Sequence, residues 1–226
     1  SDATVQALLG TSAPPSVSLA FPPAARPGPA PSPAGAAFTM NDDQRVDPVL
    51  ATKLDAAAQA LVTEARANGK LTTLAPCADP ANAGEQCAKD FLRTFGAKAF
   101  RRPLTNDELA TLATGPASPY HVGADGFGYA DGIDVLTRVL LQDPGFLYVS
   151  ELGAAGAVGA FQLTADEIAA QLSYLLTAAP PDATLAQAAA ANPTSTVAQL
   201  GQQKTQNLKT LDDELADNNL TYSGYR

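Results

Sequence analysis

The sequence contains no tryptophan, only 6% aromatic residues and a single histidine. Much of its 46% hydrophobic content is alanine, which favours helices but buries little surface per residue. The length of 226 residues is enough for one large domain or two small ones. We therefore predict an all-α protein, an irregular multi-helix bundle whose helices pack closely through small side chains.

Positive charge is also scarce, since 14 Lys and Arg residues face 23 Asp and Glu residues and the net charge is -9. This balance argues against nucleic acid or an anionic membrane as a main partner, and general solubility is a sufficient explanation for it. No apolar run approaches the roughly 18 residues that a membrane span requires. We predict neither nucleic-acid binding nor a membrane span.

The chain begins without an initiator Met, a basic n-region or an apolar h-region, so we expect no signal peptide within it. Its first ten residues, SDATVQALLG, have the pattern of the middle of an amphipathic helix, with Val5, Leu8 and Leu9 on one side. A chain that opens inside a helix is expected to be a fragment or a processed product.

There are only two cysteines, Cys77 and Cys87, and the loop between them contains Pro, Asn and Gly. Such a pair favours a local disulfide, which stabilises by about 2–3 kcal/mol in the chain-entropy model. A zinc site would need further ligands, and the one histidine lies far away in the sequence. We predict a disulfide and an extracytoplasmic location, in the periplasm, at the cell surface or secreted.

Several catalytic motifs are missing. The chain has no CxxCH sequence, so no covalently bound c-type haem is expected. No serine lies in a nucleophile elbow, and no glycine-rich phosphate loop opens a helix. Paired carboxylates for glycoside hydrolysis depend on tertiary geometry, so enzymatic activity stays an open alternative.

The chain divides into three regions by composition. Residues 1–46 hold the N-terminal helix and an extended Pro- and Ala-rich stretch at 11–36, where repeated prolines exclude helix and central strand. This stretch is a linker or binds carbohydrate or a partner. Residues 47–113 form a helical region with the disulfide. Residues 114–226 form a second helical region, which we expect to pack with the first as one unit.

Local signals predict where the helices begin and end. Asp47-Pro48 starts a helix that Asn68-Gly69 ends, and a loop is predicted at 114–130. A capping box of Thr164 and Glu167 starts another helix, which Pro180-Pro181 stops. That helix is expected to bury Ile168, Leu172, Leu175 and Leu176. Phe146, Tyr148 and Tyr174 are predicted core aromatics, and a last helix is expected from about residue 195.

The most patterned stretch is KAFRRPLTNDEL at 98–109. Its arginines either bind an anion or mark a helix–turn–helix joint, in which they pair with an internal carboxylate. The joint is favoured, because proline excludes helical geometry at the residue before it and the Thr and Glu that follow form a capping box. We call this set the helix joint: Phe100, Arg101, Arg102, Pro103, Leu104, Thr105 and Glu108.

The second candidate site surrounds the only histidine, in SPYHVGADGFGYADGID. A histidine beside a carboxylate can act as a general base or an axial ligand, and the aspartates of a glycine-rich loop can bind calcium. A solvated histidine and an Asp131 that caps the next helix explain the same residues. No metal site is predicted. The candidate residues are Tyr120, His121, Asp125, Asp131 and Asp134.

Four stretches carry a family resemblance: DATVQALLGT, CADPANAGEQCAKDFLRTFGAKAFRRPLTNDEL, VLLQDPGFLYVSELG and FQLTADEIAAQLSYLLTAAPPDATL. From about residue 2 to about residue 190 the chain resembles exported bacterial multi-domain proteins of unknown function with an AFRRPLT signature, often joined to a planctomycete-type cytochrome c module. It departs at Val149, where that family usually has Arg, at Thr177, where it often has Trp, and in the tail. The resemblance implies extracytoplasmic redox or polymer-degrading assemblies.

Three functions follow as hypotheses. The favoured one is a non-catalytic structural or interaction module of a larger cell-surface or secreted assembly, with other subunits or further domains of the same protein as partners. The second is an enzyme that processes an extracellular polymer or polysaccharide with residues of the 114–134 region. The third is an accessory that docks a c-type cytochrome through its acidic surface.

Overall fold

The computed structural model describes residues 2–12, 19–21, 46–77, 84–149, 151, 153 and 163–191. Within these residues every regular element is helical, which confirms the predicted all-α class. Most of the Pro-rich stretch at 11–36 and the helix expected from about residue 195 lie outside the described residues.

The helices differ widely in length, and three segments around residue 94 follow one another without a break in the right-handed helical backbone. In chain order the helices are α1 Asp2–Leu9, α2 Pro48–Ala67, α3 Lys70–Leu74, α4 Glu85–Phe91, α5 Ala97–Phe100, α6 Asn106–Ala113, α7 Pro119–Ala124, α8 Tyr129–Gln142, α9 Pro144–Leu147, α10 Ala165–Thr177 and α11 Ala183–Ala191. Between α4 and α5 the segment Leu92–Gly96 is π-helical.

The predicted helix ends are present where a local pattern specified them. Asp47 accepts a hydrogen bond from the backbone N–H of Leu50 at 2.7 Å and caps α2, which begins at Pro48. Asn68 follows the end of α2, and Gly69 takes a left-handed conformation with φ 73°. Thr164 caps α10 through a complete capping box, as predicted.

The main core is built from α1 to α8. Helix α8 packs against both α2 and α7, and it buries Leu136 and Leu140 completely. The contact between α7 and α8 depends on glycine, because a Cβ atom at Gly123 would lie 2.5 Å from the backbone oxygen of Asp131. The predicted close packing through small side chains is therefore present at this crossing.

A second hydrophobic cluster joins α10 and α11. Its α10 face consists of small residues around Ile168, and Leu172 is only partly buried. The prediction that Leu175 and Leu176 are buried is wrong, since they are 81% and 44% exposed. The alanines of α10 occupy the inward face, so these leucines lie on the outer side. The buried α10 residues are Ala165, Ile168, Ala169, Ala170 and Ser173.

Two further expectations are corrected. The predicted loop at 114–130 contains α7, which begins like α2, with a polar cap at Ser118 followed by Pro119. Tyr148 is 43% exposed rather than in the core, because it lies beyond the last residue of α9, Leu147, in an extended conformation. Tyr174 is partly buried, with its hydroxyl 3.2 Å from that of Thr4.

The predicted disulfide joins Cys77 to Cys87 and is confirmed. It connects the chain after α3 to the first turns of α4, whose Phe91 stacks on Phe95 with ring centroids 5.0 Å apart. The disulfide therefore anchors the segment that carries two buried phenylalanines into the core. In the described part of the chain, no helix combines the length and the apolar character that crossing a bilayer would need.

Candidate functional site

Arg101 lies at the centre of the helix joint. It ends α5 in a left-handed backbone conformation with φ 58°. Its guanidinium donates hydrogen bonds to the backbone carbonyls of Gly145 at 2.7 Å, Phe146 at 3.3 Å and Tyr148 at 2.6 Å. These carbonyls belong to α9 and the residue after it, where a cation satisfies groups that have no partner within the helix.

The same guanidinium connects a third element. Its Cζ atom lies 5.8 Å from the ring centroid of Tyr174 in α10. This is the range of a cation–π contact, which contributes about 0.5–1 kcal/mol at an exposed position. Arg101 therefore contacts the end of α9 and the C-terminal half of α10, in addition to ending α5. All three of its hydrogen bonds go to groups of the chain itself.

Arg102 makes a two-pronged ion pair with Glu108 inside the helix joint. Its Nη1 and Nη2 atoms lie 2.9 Å and 2.6 Å from the two carboxylate oxygens. Glu108 also accepts the backbone N–H of Thr105 at 2.8 Å, which completes the capping box of α6. The hydrogen bonds from Arg102 lower the pKa of Glu108 to about 2, with Thr105 adding to the effect and burial opposing it.

The remaining residues of the helix joint contribute packing. Phe100 is buried, and the Cζ atom of Arg102 lies 5.7 Å from its ring centroid. Leu104 is partly buried and packs against the main core, whereas Pro103 is exposed. The joint thus consists of two hydrogen-bonded guanidinium groups that lie next to the apolar side chains of Phe100 and Leu104.

The second candidate site has a partner that the sequence did not reveal. The Nε2 atom of His121 lies 3.1 Å from the carboxylate of Glu85, and its Nδ1 atom lies 3.0 Å from that of Asp125. Glu85 also accepts the backbone N–H of Gly115 at 3.2 Å and lies 3.6 Å from the ammonium of Lys89. We call Glu85, His121 and Asp125 the histidine group.

Carboxylates on both ring nitrogens favour the protonated ring, because only the imidazolium can donate to both of them. The hydrogen bonds that His121 donates to Asp125, and then to Glu85, raise its pKa. The backbone N–H of Gly115 and then the hydrogen bond with His121 lower the pKa of Glu85. The two carboxylates of the histidine group therefore favour the protonated form of His121 over the neutral form that a general base needs.

The five residues predicted around the histidine separate into two places. Tyr120 is buried, and its ring meets that of His121 with centroids 5.2 Å apart. Asp131 and Asp134 instead bind the Nη1 atom of Arg66, at 3.0 Å and 2.5 Å. The expectation that Asp131 caps a helix is wrong, since α8 begins at Tyr129 and Asp131 lies inside its first turn.

Titration of His121 gives the first testable prediction. A folded-state pKa above the ordinary 6.5 means that this histidine stabilises the fold fully below pH 6.5. The stabilisation declines as the pH rises through the raised folded-state pKa. The free energy of unfolding should therefore fall over this range in the wild type, and the fall should be smaller in His121→Gln.

The measurement is urea unfolding at several pH values, with the histidine pKa read by NMR. Only this one histidine is present in the chain, so the NMR signal needs no assignment among several. Tyr120, Glu85, Lys89 and Asp125 are the titratable groups beside it. Glu85→Gln should lower the histidine pKa. If the free energy of unfolding falls with pH as much in His121→Gln as in the wild type, His121 is not the group responsible.

A cleft of about 290 Å³ lies beside the helix joint, between Arg101 and Arg102 on one side and the start of α10 on the other. Asp166 is half-buried there and also borders an adjoining cavity of about 150 Å³. Burial raises the pKa of Asp166, and the charge of Arg102 opposes this. Within the described residues, no group of three or more His, Cys, Asp or Glu side chains is placed to hold a metal ion.

Two family models match the chain. Residues 87–151 match "PSD5: Protein of unknown function (DUF1595)", and residues 163–218 match "PSD4: Protein of unknown function (DUF1592)". The chain carries two adjacent domains of unknown function. We call them the PSD5 segment and the PSD4 segment. Both are of the planctomycete cytochrome c-associated type, which confirms the predicted resemblance at this level.

The helix joint and the histidine of the second site lie in the PSD5 segment, whereas α10 and α11 lie in the PSD4 segment. The cleft is therefore bordered by both segments, and Arg101 contacts Tyr174 across them. No curated protein and no solved structure was found to match the chain. Residues that sequence reasoning missed are Arg66, Glu85 and Asp166.

Proposed function

We propose that this chain is a non-catalytic structural or interaction module of a larger extracytoplasmic assembly. The observation that carries the proposal is that the charged groups of both candidate sites are bound to other groups of the chain. Arg101 binds carbonyls, Arg102 binds Glu108, and His121 lies between two carboxylates. A general base must instead be free to take a proton from a substrate.

The extracytoplasmic location rests on the disulfide between Cys77 and Cys87. Disulfides persist mainly in oxidising compartments. Thiol labelling of intact cells that express the native protein tests this part. Protection of both cysteines from labelling, together with recovery in the periplasmic, surface or secreted fraction, is the expected result. Free thiols in a cytoplasmic fraction would contradict it.

The enzymatic alternative predicts turnover that depends on His121. Release of reducing ends from a panel of extracellular polysaccharides should stay at the buffer level with the wild-type protein. Turnover that His121→Ala abolishes, and that the control Arg93→Ala retains, would overturn the non-catalytic proposal. Arg93 is a suitable control because the ion pair that it makes with Asp90, at 2.7 Å, is exposed.

The interaction function itself is tested by cross-linking in intact cells with a tagged protein. The same cross-linked partner should be recovered with the wild type and with His121→Ala, since binding does not require chemistry at the histidine. A protein that forms no cross-linked species in its native cells would argue against an interaction module.

A second candidate function is docking of a c-type cytochrome. It is favoured by the net charge of -9 and by the cytochrome-associated type of both segments. Opposite charges speed association at low ionic strength, and salt screens them over about 8 Å at 0.15 M. A basic c-type cytochrome should bind at low salt and weaken as salt is added, while an acidic protein of similar size should not bind. Absence of binding at all ionic strengths excludes this candidate.

A further inference from the structure

The cleft beside the helix joint contains one charged side chain without a hydrogen bond. Arg101 and Arg102 are engaged as described, and Glu167 accepts hydrogen bonds from the backbone N–H groups of Thr164 at 2.8 Å and Gly153 at 3.1 Å. The Thr164 hydroxyl lies 3.0 Å from Glu167 as well. Among the charged residues described around the cleft, only Asp166 makes no hydrogen bond.

The burial of Asp166 is not required by its place in the helix. Asp107 occupies the same position in the capping box of α6, and it is exposed. Both aspartates gain from the helix dipole in the same way. Asp166 alone is half-buried at the junction of two cavities. A carboxylate held there loses hydration without receiving a hydrogen bond in return, which is unfavourable.

The surrounding charges leave room for a cation. Arg102 is neutralised by Glu108, and Glu167 adds a further negative charge at the cleft. Four charged side chains line the cleft, two positive on the arginines and two negative on Asp166 and Glu167. Because Glu108, which lies outside the lining, neutralises Arg102, one net negative charge remains at the cleft. An incoming cation would restore the balance and give Asp166 its missing donor.

We propose that the cleft binds the ammonium group of a lysine side chain from a partner protein, with Asp166 as the acceptor. The inference rests on the proposed interaction function, because it names the group through which a partner would be anchored. An ammonium supplies positive charge and three donors on an apolar stem. Phe100, Val149 and Ala170 form apolar walls for that stem.

Lysine fits this cleft better than arginine. A guanidinium brings five donors that all need acceptors in a partly desolvated place. Asp166 is the single charged acceptor described in the cleft that is not already used, since three donors bind Glu167. A guanidinium would therefore leave several donors without partners, whereas the ammonium keeps its other donors towards solvent at the mouth of the cleft.

The test is an NMR titration of the whole protein with Nα-acetyl-lysine methylamide. Saturable shifts of the amides around residues 164–170 and a fall in the pKa of Asp166 are the expected results. The Nε-acetylated analogue and Nα-acetyl-arginine methylamide serve as probes without a free ammonium. Asp166→Asn should weaken lysine binding about tenfold or more, the loss expected when a charged hydrogen bond is removed. Asp107→Asn is the matched control and should leave binding unchanged.

Three results would overturn the proposal. The first is no saturable shift in the wild type. The second is equal binding to the Nε-acetylated analogue, to the arginine derivative or to Asp166→Asn. The third is binding that appears only in Lys98→Met, because Lys98 is exposed at the adjoining cavity and would then be the natural occupant.

The proposed function and this inference fail in different experiments. If cross-linking recovers the same partner with the wild type and with Asp166→Asn, the lysine site is refuted and the interaction function stands. If neither protein is cross-linked, the interaction function is refuted irrespective of the lysine titration. Loss of the partner in Asp166→Asn but not in Asp107→Asn supports both.

Discussion

Replacing Arg101 with methionine should lower the free energy of unfolding by about 3 kcal/mol, since hydrogen bonds from a charged donor contribute about 1.5–3 kcal/mol each and the site is partly exposed. The side chain donates to three backbone carbonyls, at 2.6 Å, 2.7 Å and 3.3 Å. Methionine keeps the apolar stem but leaves these carbonyls without that donor. Urea unfolding monitored by circular dichroism measures the change.

Two further variants separate the guanidinium from the backbone. Arg101 has φ 58°, so Arg101→Gly relieves about 1 kcal/mol of unfavourable conformation while it removes the same hydrogen bonds. It should therefore lose less stability than the methionine variant. Arg93→Met is the matched control, with an exposed ion pair, and should change stability by less than about 0.5 kcal/mol. If Arg101→Met is as mild as that control, the assigned role of Arg101 is wrong.

Sequence patterns predicted those contacts of the helix joint whose partners are close together in the sequence. The capping box of Thr105 and Glu108 spans three residues, so the sequence displays both partners together. The carbonyls that bind Arg101 lie 44 to 47 residues further along the chain. No periodicity or cap specifies a pair at that distance. The sequence therefore identified the position of the joint but not the partners of Arg101.

The histidine group shows the same limit. His121 and Asp125 are four residues apart, and the sequence placed them together. Glu85 lies 36 residues away and begins α4, next to the disulfide. Its position follows from how α4 packs near α7, which is a tertiary property. The exposed Leu175 is a third example, because the inward face of α10 is set by alanines whose contribution to periodicity is weak.

The contacts around the cleft explain why both segments meet there. Arg101 and Arg102 belong to the PSD5 segment, and Asp166 and Tyr174 belong to the PSD4 segment. Arg101 reaches the Tyr174 ring, while Arg102 influences Asp166 only through its charge. Through this contact the helix joint, on one side of the cleft, is held next to α10, on the other side. A ligand bound at Asp166 would contact the junction between the two segments.

Replacing Gly123 with alanine should destabilise the protein by about 3 kcal/mol, at the upper end of the usual cost of overpacking. Alanine inside a helix is otherwise favoured over glycine by about 1 kcal/mol, so a loss would reverse the ordinary sign. The added Cβ atom would lie 2.5 Å from the backbone oxygen of Asp131 and 2.7 Å from a methyl group of Val135. Backbone cannot move aside without separating α7 from α8.

The control for this variant is Gly96→Ala, where the added Cβ atom would lie 3.1 Å from the end of the Leu104 side chain. A side-chain methyl can shift by a few tenths of an ångström, so the change should stay below about 1 kcal/mol. Separation of α7 would also draw His121 away from Glu85, now 3.1 Å distant. The histidine pKa should then fall towards its ordinary value in Gly123→Ala and stay raised in Gly96→Ala. A stabilised Gly123→Ala protein with an unchanged histidine pKa would show that α7 and α8 do not approach this closely in solution.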